Sequence, residues 1–422
     1  MIKGISGAPI FFILMPYIGI SILPSDVQPF ALVLSILSLI FYKGSVKVDT
    51  ISIVLLLMLL VSIISFIANI YNPYQDVMFD SRALFGYATA PIIYLYFYNY
   101  LLSNESNSLI KYIDIAVLIV FFGFVLNIFG FTQIIQIFVN RAIFDESTAG
   151  SRGLTSFFPE QSRIPTQAIF FAFFYLMAGR LNWYRGLALL LMSAFSASGQ
   201  FFINISVFVV SMGIAVLYGA VRNGRFRALH LTYAIFGFAL LTGIVFITRS
   251  YHLSLIEIGL PRRGIEAFYN ISGFEFDFIS NDMGFLYKIS GPLQGISAII
   301  FDPFKIQIGT AYYFEFERGL LAIYTNLIYD LFSSNLVPLP SRSYSIFGAW
   351  WTDFRIYGLI ITVAFVVLLR GRSEVSRSNI FIGIYAVLIF LFLFRSNTSD
   401  PTPWAAAAAF AYAGRPWPRR EG

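Results

Sequence analysis

Three charged residues lie close together between two strongly apolar stretches of the chain. The stretch RGLTSFFPEQSRIPTQ, residues 152–167, contains Arg152, Glu160 and Arg163. Charges at membrane depth are costly, and they usually face a protein interior or a water-filled cavity where they serve a function. The alternative interpretation is a solvated loop whose charges cap a helix, and this loop taken alone does not distinguish the two.

A second long polar connection carries further arginines that are expected on the same side of the membrane. They are Arg249, Arg262, Arg263 and Arg342. A guanidinium is permanently charged, and its planar set of donors matches phosphate oxygens. An ordinary ion pair, such as Arg163 with Glu160, is the more frequent explanation for any single arginine. Taken as a set, these arginines indicate a binding site for an anionic headgroup such as a lipid pyrophosphate. They would stabilise the charge that develops on the leaving pyrophosphate without a metal.

Two carboxylates are candidates for a general base near these arginines. Glu160 lies in the first loop, and Asp353 lies in SYSIFGAWWTDFRIYG, residues 343–358, where the second loop returns to an apolar segment. A sugar hydroxyl that attacks an anomeric carbon needs such a base, and a carboxylate in a partly desolvated pocket is suitable. The alternative role for Glu160 is to position a neighbouring arginine. The alternatives for Asp353 are a salt bridge to Arg355 or Arg342, or a helix cap.

Several classes of function are disfavoured by what the chain lacks. There is no cysteine and there are two histidines, without a zinc-ligand spacing, so we expect neither a metal nor another cofactor. Phosphate-binding glycine loops, a GxSxG elbow and a DxD pair are absent, which disfavours a nucleotide-sugar enzyme. The formal charge of +6 indicates membrane topology and contact with anionic lipids rather than nucleic-acid binding.

The composition predicts an all-α polytopic integral membrane protein. Of its 422 residues, 58% are hydrophobic and 12% are charged, whereas soluble domains have about 25% charged residues. A spanning helix needs about 20 mostly apolar residues. The predicted segments, eleven and a short alanine-rich twelfth, are Ile5–Leu23, Val27–Tyr42, Ile51–Ile70, Ala83–Leu102, Tyr112–Ile134, Ile164–Gly179, Tyr184–Ser198, Phe201–Tyr218, Ala228–Thr248, Trp351–Leu369, Ile380–Phe394 and Pro403–Ala413.

The distribution of Lys and Arg in the short connections predicts a cytoplasmic N-terminus. Two connections are long, 140–163 and 249–344, and both then fall on the outer side. The second is rich in aromatic and aliphatic residues, and helical spacing appears in Gly319–Phe332 and is possible in Gln294–Phe301. We therefore expect a single membrane unit over 1–422, whose outer face is covered by the 249–344 segment.

The two site segments resemble motifs of a known family. Arg152 followed by SFFPEQS, residues 156–162, and the run SRSYSIFGAWWTDFRIYG resemble motifs of Wzy-type O-antigen polymerases, in the wider O-antigen polymerase/ligase family. Gln161 stands where that family often has proline. The second motif has no histidine, a residue associated with the ligase branch, so the resemblance favours a polymerase.

The resemblance implies a metal-independent, GT-C-like glycosyltransferase of the bacterial inner membrane, with its site facing the periplasm. It would transfer a growing glycan from undecaprenyl pyrophosphate onto the next lipid-linked repeat unit, with a chain-length regulator (a polysaccharide copolymerase) as partner. Two other functions stay open. One is an O-antigen ligase. The other is a lipid-linked glycan flippase, although charges gathered on one face and the absence of internal repeats are not typical of transporters.

Overall fold

The computed structural model describes residues 5–19, 27–70, 77–139, 154–159, 163–196, most of 204–214, 250–251, 283–309, 345–371, 379–394 and 396–413. This part of the chain is all-helical, as predicted, and contains no strand. Its helices are α1 (Ala8–Leu14), α2 (Phe30–Ile40), α3 (Thr50–Asn69), α4 (Val77–Ser103), α5 (Ser106–Ile128), α6 (Thr132–Phe138), α7 (Arg163–Met177), α8 (Trp183–Phe195), α9 (Met283–Phe301), α10 (Ile346–Gly371), α11 (Asn379–Phe394) and α12 (Pro401–Tyr412).

By length and composition, three segments of these helices could cross a membrane: Thr50–Ala68, Ser106–Ile128 and, counted through the reversal at Arg355 described below, Ile346–Arg370. Many of their aliphatic side chains are exposed, as with Leu118, which is 67% exposed on α5. Such a surface would be unfavourable in water and suits a hydrocarbon surrounding. The chain therefore has the character of a helical membrane protein, and the number of spans stays a prediction.

Polar contacts define two ends of the helix bundle. At one end, here called the Asp49 end, Tyr94 of α4 donates to Asp49, which caps α3. Arg185 of α8 pairs there with Asp114 of α5 at 2.8 Å. At the other end, the Asp400 end, Tyr17 beyond α1 donates to Asp400 before α12. Neighbouring helices α3 and α4 therefore run antiparallel, with the start of α3 and the end of α4 at the Asp49 end.

Helix α12 occupies the centre of the bundle. All twelve of its residues are buried, including the run Ala405–Ala409, and it packs against α4, α7, α11 and α1. Alanine adds almost no side-chain volume, so neighbouring helices can approach the α12 backbone on every side. The alanine run in the predicted twelfth segment is thus a core element rather than a lipid-facing one.

Helix α10 reverses direction at Arg355. In a continuous helix, residues 350 and 358 would lie about 12 Å apart along the axis. Instead, a β-carbon added to Gly358 would overlap the carbonyl oxygen of Trp350. The rings of Phe347 and Phe365 lie 6.3 Å apart, although eighteen residues separate them. The two arms, 346–354 and 356–371, therefore pack against each other as a hairpin.

Candidate functional site

The backbone turn between the two arms of α10 is made by a residue that is not glycine. Arg355 has φ 54° and ψ −127°, close to the first central position of a type II′ turn, which glycine normally occupies. Backbone strain of this kind persists only where the surrounding structure enforces it, and it concentrates at functional sites. Arg355 is also 2% exposed, so the strained residue lies inside the protein.

The segment 302–309, which follows α9, holds this turn in place. Ile356 donates its backbone N–H to the carbonyl of Pro303 at 3.1 Å, and Gln307 donates its own to the carbonyl of Asp353 at 2.9 Å. These contacts replace helical hydrogen bonds that the reversal breaks. Helix α9 supports the same geometry, because Gly295 on α9 and Gly348 on the first arm of α10 let the two backbones lie directly against each other.

Asp353 lies one residue before Phe354 and two before the strained arginine, with its carboxylate fully buried. Tyr87 of α4 donates its hydroxyl to Asp353 Oδ2 at 2.6 Å, and the backbone N–H of Gly309 donates to the same oxygen at 3.3 Å. Gly309 is in the left-handed region, at φ 91°, and it also lies against Asp80 of α4. The carboxylate is therefore oriented by two elements other than its own helix, α4 and the 302–309 segment, which is the arrangement expected of a positioned general base.

A second buried polar cluster lies where the starts of α7 and α12 meet the end of α1. Arg163 NH1 is 4.0 Å from Asp400 Oδ2, and its guanidinium lies 5.9 Å from the centre of the Tyr17 ring. The Tyr17 hydroxyl donates to the same Asp400 oxygen at 3.3 Å. Gln167, one turn along α7, donates to the carbonyl of Leu14 at 2.6 Å. This cluster ties three helices together around one cation and one anion.

Burial changes the pKa of Asp400, the acid of this cluster. Asp400 precedes α12 and the predicted segment 403–413. Its complete burial raises the pKa of the carboxyl above the ordinary value, while Arg163 and the backbone N–H of Thr402 act in the opposite direction. The guanidinium and the hydrogen bonds therefore favour the ionised form that desolvation disfavours.

The two clusters lie in the same half of the bundle. Trp350, one turn before Asp353, stacks on Trp404, one turn after Asp400, with ring centres 5.9 Å apart. Both carboxylates thus lie on the Asp400 side of this tryptophan pair. Arg163 and Asp353, two of the predicted site residues, are brought to the same region, although each has close polar partners of its own.

The remaining predicted site residues lie outside the described residues. They are Glu160, Arg152, Arg249, Arg262, Arg263 and Arg342, and their proposed roles stay predictions. Within the described part of the chain, no group of three or more His, Asp or Glu side chains is arranged to hold a metal ion.

No protein-family model matches this chain, and neither curated proteins nor solved structures include a significant match. The resemblance in the two site segments and the geometry around Asp353 and Arg163 are what bear on its function.

Sequence reasoning missed three residues of these clusters. Tyr87 and Tyr17 are two of 25 tyrosines and have no local signature. Asp400 follows Asn397–Ser399 and precedes proline, a pattern typical of a helix cap, and its side chain does accept from the Thr402 N–H at 3.2 Å. A signal for Asp400 was therefore present, but it indicated only a helix start and not its pairing with Arg163.

Proposed function

We propose that the protein is a bacterial polysaccharide polymerase of the inner membrane, with about 11–12 spans and a site that faces the periplasm. It transfers a growing glycan from undecaprenyl pyrophosphate onto the next lipid-linked repeat unit. The observation that most supports this proposal is Asp353, a buried carboxylate oriented by Tyr87 and Gly309 beside a strained helix reversal.

In the proposed reaction Asp353 is the general base. Its carboxylate accepts the proton of an acceptor sugar hydroxyl, and that oxygen forms a bond to the anomeric carbon of the donor. The bond from this carbon to the pyrophosphate oxygen breaks, and its electron pair leaves with the phosphate. The Tyr87 hydroxyl keeps the carboxylate in position while the proton is transferred. Glu160 is the second candidate for the base, or it positions an arginine.

Arginines stabilise the charge that develops on the pyrophosphate. Arg163 is the one of this set within the described residues, and it lies in the same half of the bundle as Asp353. Arg152, Arg249, Arg262, Arg263 and Arg342 complete the proposed set, with 249–344 as a periplasmic cap. Preorganised donors in a water-poor site are effective because they need no reorganisation when charge appears. The proposal requires no metal.

The basic residues at the Asp49 end support the proposed orientation. The Asp49 end holds Lys47, Arg180 and Arg185, in the short connections that the basic-residue rule places in the cytoplasm. The opposite end holds Arg163, Asp400 and the Asp353 region. A site at that end faces the periplasm, where a chain-length regulator also has access to the growing polymer.

The test is the chain-length distribution of the glycan in a strain that lacks the gene and carries single variants. Asp353→Asn keeps the shape of the side chain and removes the base, so we expect polymerisation to fall about 10²–10⁴-fold and single repeats to accumulate. Asp49→Asn is the matched control, because Asp49 is a buried carboxylate that accepts a hydrogen bond from another α4 tyrosine, Tyr94. It should leave the polymer long at equal protein level.

Normal long polymer from Asp353→Asn at wild-type protein level would exclude Asp353 as the base. The arginine assignment has a separate test in the same strain. Arg152→Ala, Arg249→Ala and Glu160→Ala should each shorten the polymer. If all three leave it unchanged at normal protein level, the pyrophosphate site is assigned wrongly.

One observation favours a second candidate, a lipid-linked glycan flippase. A discontinuous helix with buried charges near the break, as in α10 at Asp353 and Arg355, is also typical of transporters. Deleting the gene separates the two functions. A strain without a polymerase still displays single repeat units on its surface, whereas a strain without the flippase displays none.

A further inference from the structure

An apolar groove runs along the second arm of α10 and along α11, and its lining does not include Asp353. Its volume is about 480 Å³, within the range of ligand pockets. It extends along α11 from Ile382 to Phe394, which corresponds to about 18 Å of helix. Phe410 of the central helix α12 is fully buried and contributes to the lining. The groove therefore has the length and surface of a site for a single hydrocarbon chain.

One end of the groove is charged. Among the described residues that line it, Arg370 is the one charged side chain, and it is exposed. The Tyr385 hydroxyl donates to the carbonyl of Val366 at 2.8 Å, which joins α11 to the second arm of α10. Arg370, one turn after Val366, lines the groove together with Ile382 near the start of α11. This is the Asp49 end of the bundle, because Arg370 is fifteen residues beyond the reversal at Arg355.

We propose that this groove binds an anionic phospholipid, with one acyl chain along α11 and the phosphate on Arg370. Charge complementarity selects this occupant. A guanidinium at the mouth of an apolar groove matches a phosphate on an apolar chain. The site is separate from the proposed catalytic region, because its headgroup lies at the opposite end. It does not depend on the proposed function.

The test is native mass spectrometry of the full chain, purified in detergent and titrated with phosphatidylglycerol or phosphatidylcholine. Wild-type protein should retain phosphatidylglycerol in preference to phosphatidylcholine. Arg370→Gln should lower the retention of phosphatidylglycerol about fivefold, which corresponds to the net loss of about one hydrogen bond from the guanidinium to the phosphate in the groove. Ala386→Trp fills the groove with a large side chain and should remove the bound adduct of both lipids.

Arg180→Gln is the matched control. Arg180 is exposed at the same end of the bundle, bonds to Asn107 at 3.3 Å, and does not line the groove. It should leave the retention of phosphatidylglycerol within twofold of wild type. Three results would overturn the proposal: equal retention by wild type and Arg370→Gln, an equal loss from Arg180→Gln, or an Ala386→Trp protein that still carries lipid. A dimer that Ala386→Trp abolishes would instead identify a second copy of the chain as the occupant.

Discussion

Replacing Arg355 by glycine and by alanine in parallel measures the strain at the α10 reversal. Both substitutions delete the guanidinium, so the difference between them reports the backbone alone. At φ 54° and ψ −127° a β-carbon is in steric conflict, whereas glycine adopts these angles freely. We therefore expect the glycine variant to be the more stable of the two.

The magnitude follows from two opposing terms. Strain in a sparsely populated backbone region costs about 1–3 kcal/mol. Glycine loses more conformational entropy on folding than alanine, which offsets about 0.4–1 kcal/mol of that difference. The free energy of unfolding of Arg355→Gly should therefore be about 1–2 kcal/mol higher than that of Arg355→Ala. Ile360, which is 59% exposed in the second arm, provides the control pair. The helix is regular at this position, so the free energy of unfolding of Ile360→Gly should be about 1 kcal/mol lower than that of Ile360→Ala.

The assay is equilibrium unfolding of each purified variant as SDS replaces a mild detergent, followed by far-UV circular dichroism. At Arg355 the glycine variant should have the higher free energy of unfolding, and at Ile360 the alanine variant should have the higher one. If alanine were the more stable residue at both positions, α10 would be a continuous helix through Arg355. The hairpin, and with it the placement of Asp353 against Tyr87 and Gly309, would then be incorrect.

Two further substitutions, each with a control elsewhere in the chain, test the same region. Gly358→Ala should destabilise the protein by about 1–3 kcal/mol, because its methyl group would overlap the backbone of the first arm; Gly186→Ala, at an open helical position, should stabilise slightly in the same unfolding assay. Tyr87→Phe and Tyr94→Phe each remove a hydrogen bond to a buried carboxylate, at a similar cost of about 1.5–3 kcal/mol. Only Tyr87→Phe should shorten the glycan, and equal chain lengths in the two variants would contradict a positioning role for Tyr87.

Helix positions were largely predictable from the chain. Apolar runs of about 20 residues predicted Ile51–Ile70 and Ala83–Leu102, and the structure has helices at Thr50–Asn69 and Val77–Ser103. The possible short helix Gln294–Phe301 is the second half of a longer one, Met283–Phe301. Hydrophobicity over a long window carries this information because a segment in lipid must satisfy its backbone internally.

The reversal at Arg355 was not predictable from local sequence. No glycine or proline stands at the turn, and TDFRIYG reads as the start of an ordinary helix. The turn exists because Pro303 and Gln307, about fifty residues earlier, supply the hydrogen bonds that the broken helix lacks. Pairing of this kind depends on tertiary structure, and a prediction from local propensity cannot include it. Asp353 is accordingly not a helix-start cap, because α10 begins at Ile346 and Asp353 lies near the end of its first arm.

The buried pair of Arg163 and Asp400 also bears on function. Its members are 237 positions apart, with 10% and 9% of their side chains exposed, and their closest approach is 4.0 Å. Desolvating two charges for so long a contact gives little net stability, and apolar residues of similar volume commonly stabilise a core as well or better. The contact with Asp400 alone therefore does not offset the cost of burying this cation. The Asp400 carboxylate and the Tyr17 ring already hold the Arg163 guanidinium at the proposed periplasmic end. A guanidinium held in this way can accept a phosphate at little further entropic cost. The proposed transfer reaction requires this property, because charge develops on the pyrophosphate.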